Sequence, residues 1–141
     1  MKYVCDAPGD RTWFRLETEA EAIQESALMN HAVEKHFRRE REKAARSYQP
    51  AATAFIERDI GLASHIAREM PMFLTLRDGT GKALVTAMLP PDGREDSSFR
   101  PIVVGPDNAN PYTEHGDAIA TLAAHFNVTL DADRCYPYRR G

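Results

Sequence analysis

Two cysteines are all that this chain holds, Cys5 and Cys135, and no CxxC spacing gives either a nearby partner. A zinc ribbon and a thioredoxin-type redox pair are thereby excluded. Their spacing leaves a disulfide between the two ends open, and two reduced thiols are the expectation in a reducing compartment. Long apolar runs are also missing. Stretches such as 83–89 fall far short of the roughly 18 residues of a membrane helix. The opening Met1-Lys2-Tyr3-Val4-Cys5-Asp6 contains no apolar segment of signal-peptide length. These absences lead us to expect a soluble, cytoplasmic protein with no membrane role.

An excess of positive charge is lacking too. Lys and Arg number 18 against 21 Asp and Glu, a net charge of −3, which disfavours a protein that coats nucleic acid over its whole surface. No phosphate loop, dinucleotide fingerprint, nucleophile elbow or HExxH pattern occurs. None of the standard local signatures therefore points to an enzyme, and no cofactor is expected. Repeats and low-complexity tracts are absent as well.

What is present reads as one α+β domain spanning 1–141, with a mixed or antiparallel sheet, two β-hairpins, one long N-terminal helix and two shorter helices. Residues 2–6 and 12–17, rich in aromatic and β-branched side chains, flank the turn cluster Ala7-Pro8-Gly9-Asp10 and predict a hairpin. Thr18 with Glu21 is a capping-box signature. No glycine or proline follows until Pro50, so one helix is expected from there to about Tyr48. Ala22, Ser26, Met29, Val33, Phe37, Ala44 and Tyr48 form its apolar stripe, interrupted at Glu40, and its second half is charged on every side. That half should project into solvent or meet a partner.

Ile56, Ile60, Ala63, Ala67 and Met70 keep a helical period up to Pro71. The costly Gly61 leaves residues 55–57 open to a short strand. The segments 72–77 and 82–89, joined by Asp78-Gly79-Thr80-Gly81, predict a hairpin that is apolar on both faces and so lies inside the sheet. Its Leu74, Leu76, Leu84 and Val85 are expected to be buried, together with Ile119. Residues 101–104 predict a short strand. Ile119, Leu122, Ala123 and Phe126 mark the inner face of a last helix ended by Asn127, and 128–130 could add a final strand.

Three groups of residues invite a functional reading. The loop 105–117, GPDNANPYTEHGD, leaves a strand and enters a helix, a place where ligands often bind. Its turn residues and an Asn110-Pro111 helix start have structural reasons to be there. A catalytic or ligand-binding use would fall to His115, with Asp107 or Asp117 orienting it. The segment 34–46, EKHFRREREKAAR, holds six basic and three acidic residues. Glu34 with Arg38 and Glu42 with Arg46 have favourable spacing for ion pairs along a solvated helix. Finally, CYPYRRG at 135–141 offers Tyr138, Arg139 and Arg140. His36 with Glu40 and His65 with Glu69 have spacing suited to two metal ligands but no evident third, so no metal site is expected.

The reading that follows is a small non-enzymatic protein that binds another macromolecule, a protein partner or a second copy of itself. Lys35, Arg38, Arg39, Lys43, Arg46, Tyr138, Arg139 and Arg140 would make the contact. A second reading assigns a small molecule or a reaction to the 105–117 loop and His115. A third, which the net charge disfavours, is a nucleic-acid module acting through 34–46 and the basic tail.

Overall fold

A computed structural model describes residues 1–48 and 55–135. The tail residues Tyr138, Arg139 and Arg140 lie outside that range. Five strands, β1 (Lys2–Ala7), β2 (Arg11–Leu16), β3 (Met72–Arg77), β4 (Ala83–Leu89) and β5 (Ile102–Val104), form one sheet in that order, each pair antiparallel. The α-helices among the described residues are α1 (Glu19–Met29), α2 (Val33–Arg46), α3 (Phe55–Glu69) and α4 (Tyr112–Phe126). Together they make a small α+β domain with an antiparallel sheet. Among the described residues no helix is long and apolar enough to cross a membrane.

The pleat decides which layer each side chain joins. On one face Leu74 and Leu76 of β3 and Val85, Ala87 and Leu89 of β4 pack with Trp13 against Ala118, Ile119 and Leu122 of α4. The Trp13 indole N–H donates to the Ala118 carbonyl at 2.9 Å, tying β2 to that helix. On the other face Leu16, Phe73 and Met88 meet Ala22, Val33, Phe37 and Ala44, with the Phe37 and Phe73 rings 5.2 Å apart. Leu74, Leu76, Val85 and Ile119 are buried, as the pattern requires. Leu84 is only half-buried. A bulge is the reason: Val85 pairs with Leu76 and Ala83 with Arg77, which leaves Leu84 opposite no residue.

The single long helix expected over 18–48 is two. Thr18 caps α1 through a complete capping box with Glu21, as its sequence signature predicts. The break comes at Asn30, in the left-handed region at φ 51°, ψ 56°, whose N–H and that of His31 both reach the Ser26 carbonyl. Asparagine tolerates this conformation far better than most residues and ends helices without glycine. The Ser26 hydroxyl then accepts the Glu34 N–H at 3.0 Å and secures the first turn of α2.

Residues 55–57, left open between strand and helix, are helical. The charged half of α2 is not free on every side either: Ala44 is buried and α3 packs against the helix. Residues 128–130 form no strand. They fold back along α4, where the Tyr112 hydroxyl donates to the Leu130 carbonyl at 2.8 Å. Cys5 and Cys135 are both free thiols.

Candidate functional site

Glu25 is the most unexpected side chain in the domain: a carboxylate with no solvent exposure, on the face of α1 that covers β3 and β4. A buried charge is costly unless partnered, and Glu25 has two partners. The Arg77 guanidinium donates to Oε1 at 2.7 Å, and the Thr86 hydroxyl donates to Oε2. Arg77 also donates to the hydroxyl of Thr75, which pairs with Thr86 across the strands.

Thr86 has a single hydrogen, and Glu25 receives it. The 2.9 Å contact between Thr86 Oγ1 and His31 Nε2 is therefore donated by the ring. The Val33 N–H points at His31 Nδ1 from 3.4 Å, consistent with the same tautomer. Burial pushes the His31 imidazole below its ordinary value against the opposing pull of Glu25, which favours the neutral ring. Carboxylate, hydroxyl and imidazole thus form one oriented chain from the core outward.

That chain ends at a cavity of about 230 Å³. It lies where the α1–α2 junction meets β4 and β5. His31, Thr86 and Val33 line it with Phe73, Met88, Ile102 and Val104 as the apolar part, and His36 and Asn108 complete the polar part. His36 Nδ1 accepts from Arg39 at 2.9 Å, so its Nε2 carries the hydrogen. Burial, and then the Arg39 charge, hold His36 below its usual value. Asp107 and Asn108 are consecutive left-handed residues, at φ 59° and 56°. The Asn30 carboxamide donates to Asp107, clasping the 105–110 loop to the end of α1 beside the cavity.

The 105–117 loop is therefore divided in its use. Asn108 walls the cavity, while His115 is absent from its lining. Asp107 bonds Asn30, not His115. His115 Nδ1 instead accepts from Arg11 at 2.9 Å, and the same guanidinium grips both Asp117 oxygens at 2.8 Å. A catalytic or ligand-binding use of His115 would have Asp107 or Asp117 orient it; here Arg11 bridges His115 and Asp117. Burial first and Arg11 second press the His115 ring below its ordinary value, and the Arg11 hydrogen bond does the same for Asp117. Asn110 Oδ1 accepts the Tyr112 N–H at 3.0 Å, but the N-cap of α4 is Pro111, one residue later than the expected Asn110-Pro111 helix start.

On α2, Lys35, Arg39, Lys43 and Arg46 are exposed on the side opposite Val33, Phe37 and Ala44. Arg38 crosses to Glu19 of α1 at 2.6 Å and does not pair with Glu34. His36 is engaged by Arg39, and His65 Nε2 lies 2.7 Å from the Ser47 hydroxyl. Among the described residues no three His, Cys, Asp or Glu side chains are placed to hold a metal ion.

The sequence pattern overlooked Glu25, His31 and Thr86. For Glu25 a signal existed: it stands three residues after Ala22 and four before Met29, on the stripe that must be buried. Comparison of the chain with protein-family models, with curated proteins and with solved structures finds no match.

Proposed function

We propose that this protein binds a small molecule in the cavity between the α1–α2 junction and strands β4 and β5. One observation carries the reading: the fully buried Glu25 carboxylate orients Thr86, and through it His31, at the cavity wall. Stability alone is a poor account of such a group, because apolar replacements of a buried ion pair are often neutral or stabilising. A ligand site, by contrast, needs a few polar groups of fixed direction among apolar ones. The cavity's size suits a ligand smaller than a typical drug.

Thermal-shift screening of a small-fragment collection tests this. Fragments that raise the melting temperature of the natural protein should lose their effect in Ile102→Trp, which fills the cavity from the half-buried first position of β5. A stabilising effect that survives in the filled variant places binding elsewhere and ends the proposal.

A second reading rests on the outward cations of α2. Lys35, Arg39, Lys43 and Arg46 share one face and leave a basic stripe suited to an acidic protein partner. Reversing Lys35, Lys43 and Arg46 to glutamate should abolish retention on an immobilised polyglutamate peptide while leaving fragment binding intact. Unchanged retention would reduce the stripe to a solvated helix face.

A further inference from the structure

The polar groups of the cavity are unequally satisfied, and the difference selects a ligand chemistry. Thr86 gives its hydrogen to Glu25, and His31 gives its own to Thr86. Neither has a donor left for a ligand. His36 differs, because its Nδ1 is occupied by Arg39 and its Nε2 hydrogen has no acceptor among the described residues. Asn108 likewise has a carboxamide without a protein partner there, and it is exposed at the cavity edge. The free side-chain donors among the lining residues are therefore His36 Nε2 and the Asn108 amide.

Charge points the same way. The lining contains no carboxylate. The nearby Glu25 has each oxygen covered, one by Arg77 and the other by Thr86, and Asp107 bonds Asn30. Arg39 lies directly behind the His36 ring, where its charge strengthens the Nε2–H as a donor to an anion. Glu40, 3.9 Å from Arg39, offsets part of that charge. A ligand cation finds no counter-ion on this wall, whereas a ligand anion finds two donors with a guanidinium behind one of them.

We propose that the cavity takes a small carboxylic acid: its apolar body against Phe73, Met88, Ile102 and Val104, its carboxylate on His36 Nε2 and the Asn108 amide. This rests on the ligand-binding reading above and adds the class of ligand.

The test compares benzoate with its neutral isostere benzamide, followed by NMR of the His36 ring and the Thr86 methyl group. Benzoate should bind at least about tenfold more tightly than benzamide, the preference expected when a charge-assisted hydrogen bond replaces a neutral one. His36→Leu should erase that preference, and His36→Gln, which keeps a donor, should retain part of it. Should His36→Leu fail to fold, Asn108→Gly, which keeps the left-handed backbone at this exposed position, gives the same comparison. Equal binding of benzoate and benzamide overturns the carboxylate assignment and leaves the cavity reading standing. Binding of other fragments at Thr86, with neither benzoate nor benzamide among them, does the same. If no fragment of any class shifts Thr86, both readings fall.

Discussion

Glu25 and Arg77 meet at 2.7 Å across 52 residues of sequence, the carboxylate completely buried and the arginine side chain only 11 % exposed. The contact joins α1 to the end of β3, so the helix layer and the sheet are registered by one charged pair. The same carboxylate receives the Thr86 hydroxyl, which makes this pair the inner end of the chain that reaches the cavity.

Removing one member of such a pair strands the other. Glu25→Ala leaves both the Arg77 guanidinium and the Thr86 hydroxyl without their acceptor, and a loss of about 3–5 kcal/mol is expected in urea unfolding. Thr86→Val should cost less, about 1–3 kcal/mol, because neutral groups are left behind. The double replacement Glu25→Leu with Arg77→Met should recover most of the stability lost in Glu25→Ala. If it unfolds as easily as the single variant, the pair does not act as a unit.

The two leucines of the central strands should respond differently. Leu74 is fully buried against α4, and Leu74→Ala is expected to cost about 2–5 kcal/mol. Leu84 stands at the bulge and is half-buried, so Leu84→Ala should fall clearly below that range. Equal shifts of the urea midpoint would contradict the bulge.

Arg11 holds His115 and Asp117 together near the start of α4. His115→Gln should therefore leave fragment binding unchanged, since the ring is outside the cavity lining. Arg11→Ala should release both side chains and return the Asp117 carboxyl toward its ordinary value, visible by NMR titration, because the Arg11 hydrogen bond is the main force lowering it. An Asp117 titration unaltered in that variant would contradict the shared anchor.

Acid should weaken the fold first through its histidines. His31 is pressed below its ordinary value of 6.5 by burial, so above that pH it is neutral in both folded and unfolded chains and stability is undiminished. As pH falls below 6.5, the unfolded chain takes up the proton first, and stability drops until the folded ring also titrates. His36 and His115 move in the same direction, so His31→Gln should make this limb of a melting-temperature profile shallower without abolishing it. An identical slope in the variant would show that the ring is not held neutral.

The layered α+β architecture was legible because it depends on patterns that neighbouring residues carry. Met72, Leu74 and Leu76 alternate with Phe73, and Thr18 and Glu21 announce a helix start. The division of the N-terminal helix was harder, since Asn30 is an ordinary helix residue unless its backbone turns left-handed. The site was harder still. His115 drew attention because it sits in a loop among acids, yet its partner is Arg11, a residue more than a hundred positions away. Glu25, Thr86 and His31 are individually unremarkable, and only the pairing of α1 with β4 brings them into one chain. Tertiary contact, not local pattern, defines this cavity.

The most direct measurement is methyl NMR of the natural protein, labelled at methionine, isoleucine, valine and threonine, during titration with a fragment that raises its melting temperature. The expected result is a cluster of shifted methyl signals at Val33, Thr86, Met88, Ile102 and Val104, with Val85 and Ile119 on the opposite side of the sheet unmoved. Shifts confined to any other part of the domain, with the cavity methyl groups unchanged, would contradict a binding site at the end of the Glu25–Thr86–His31 chain.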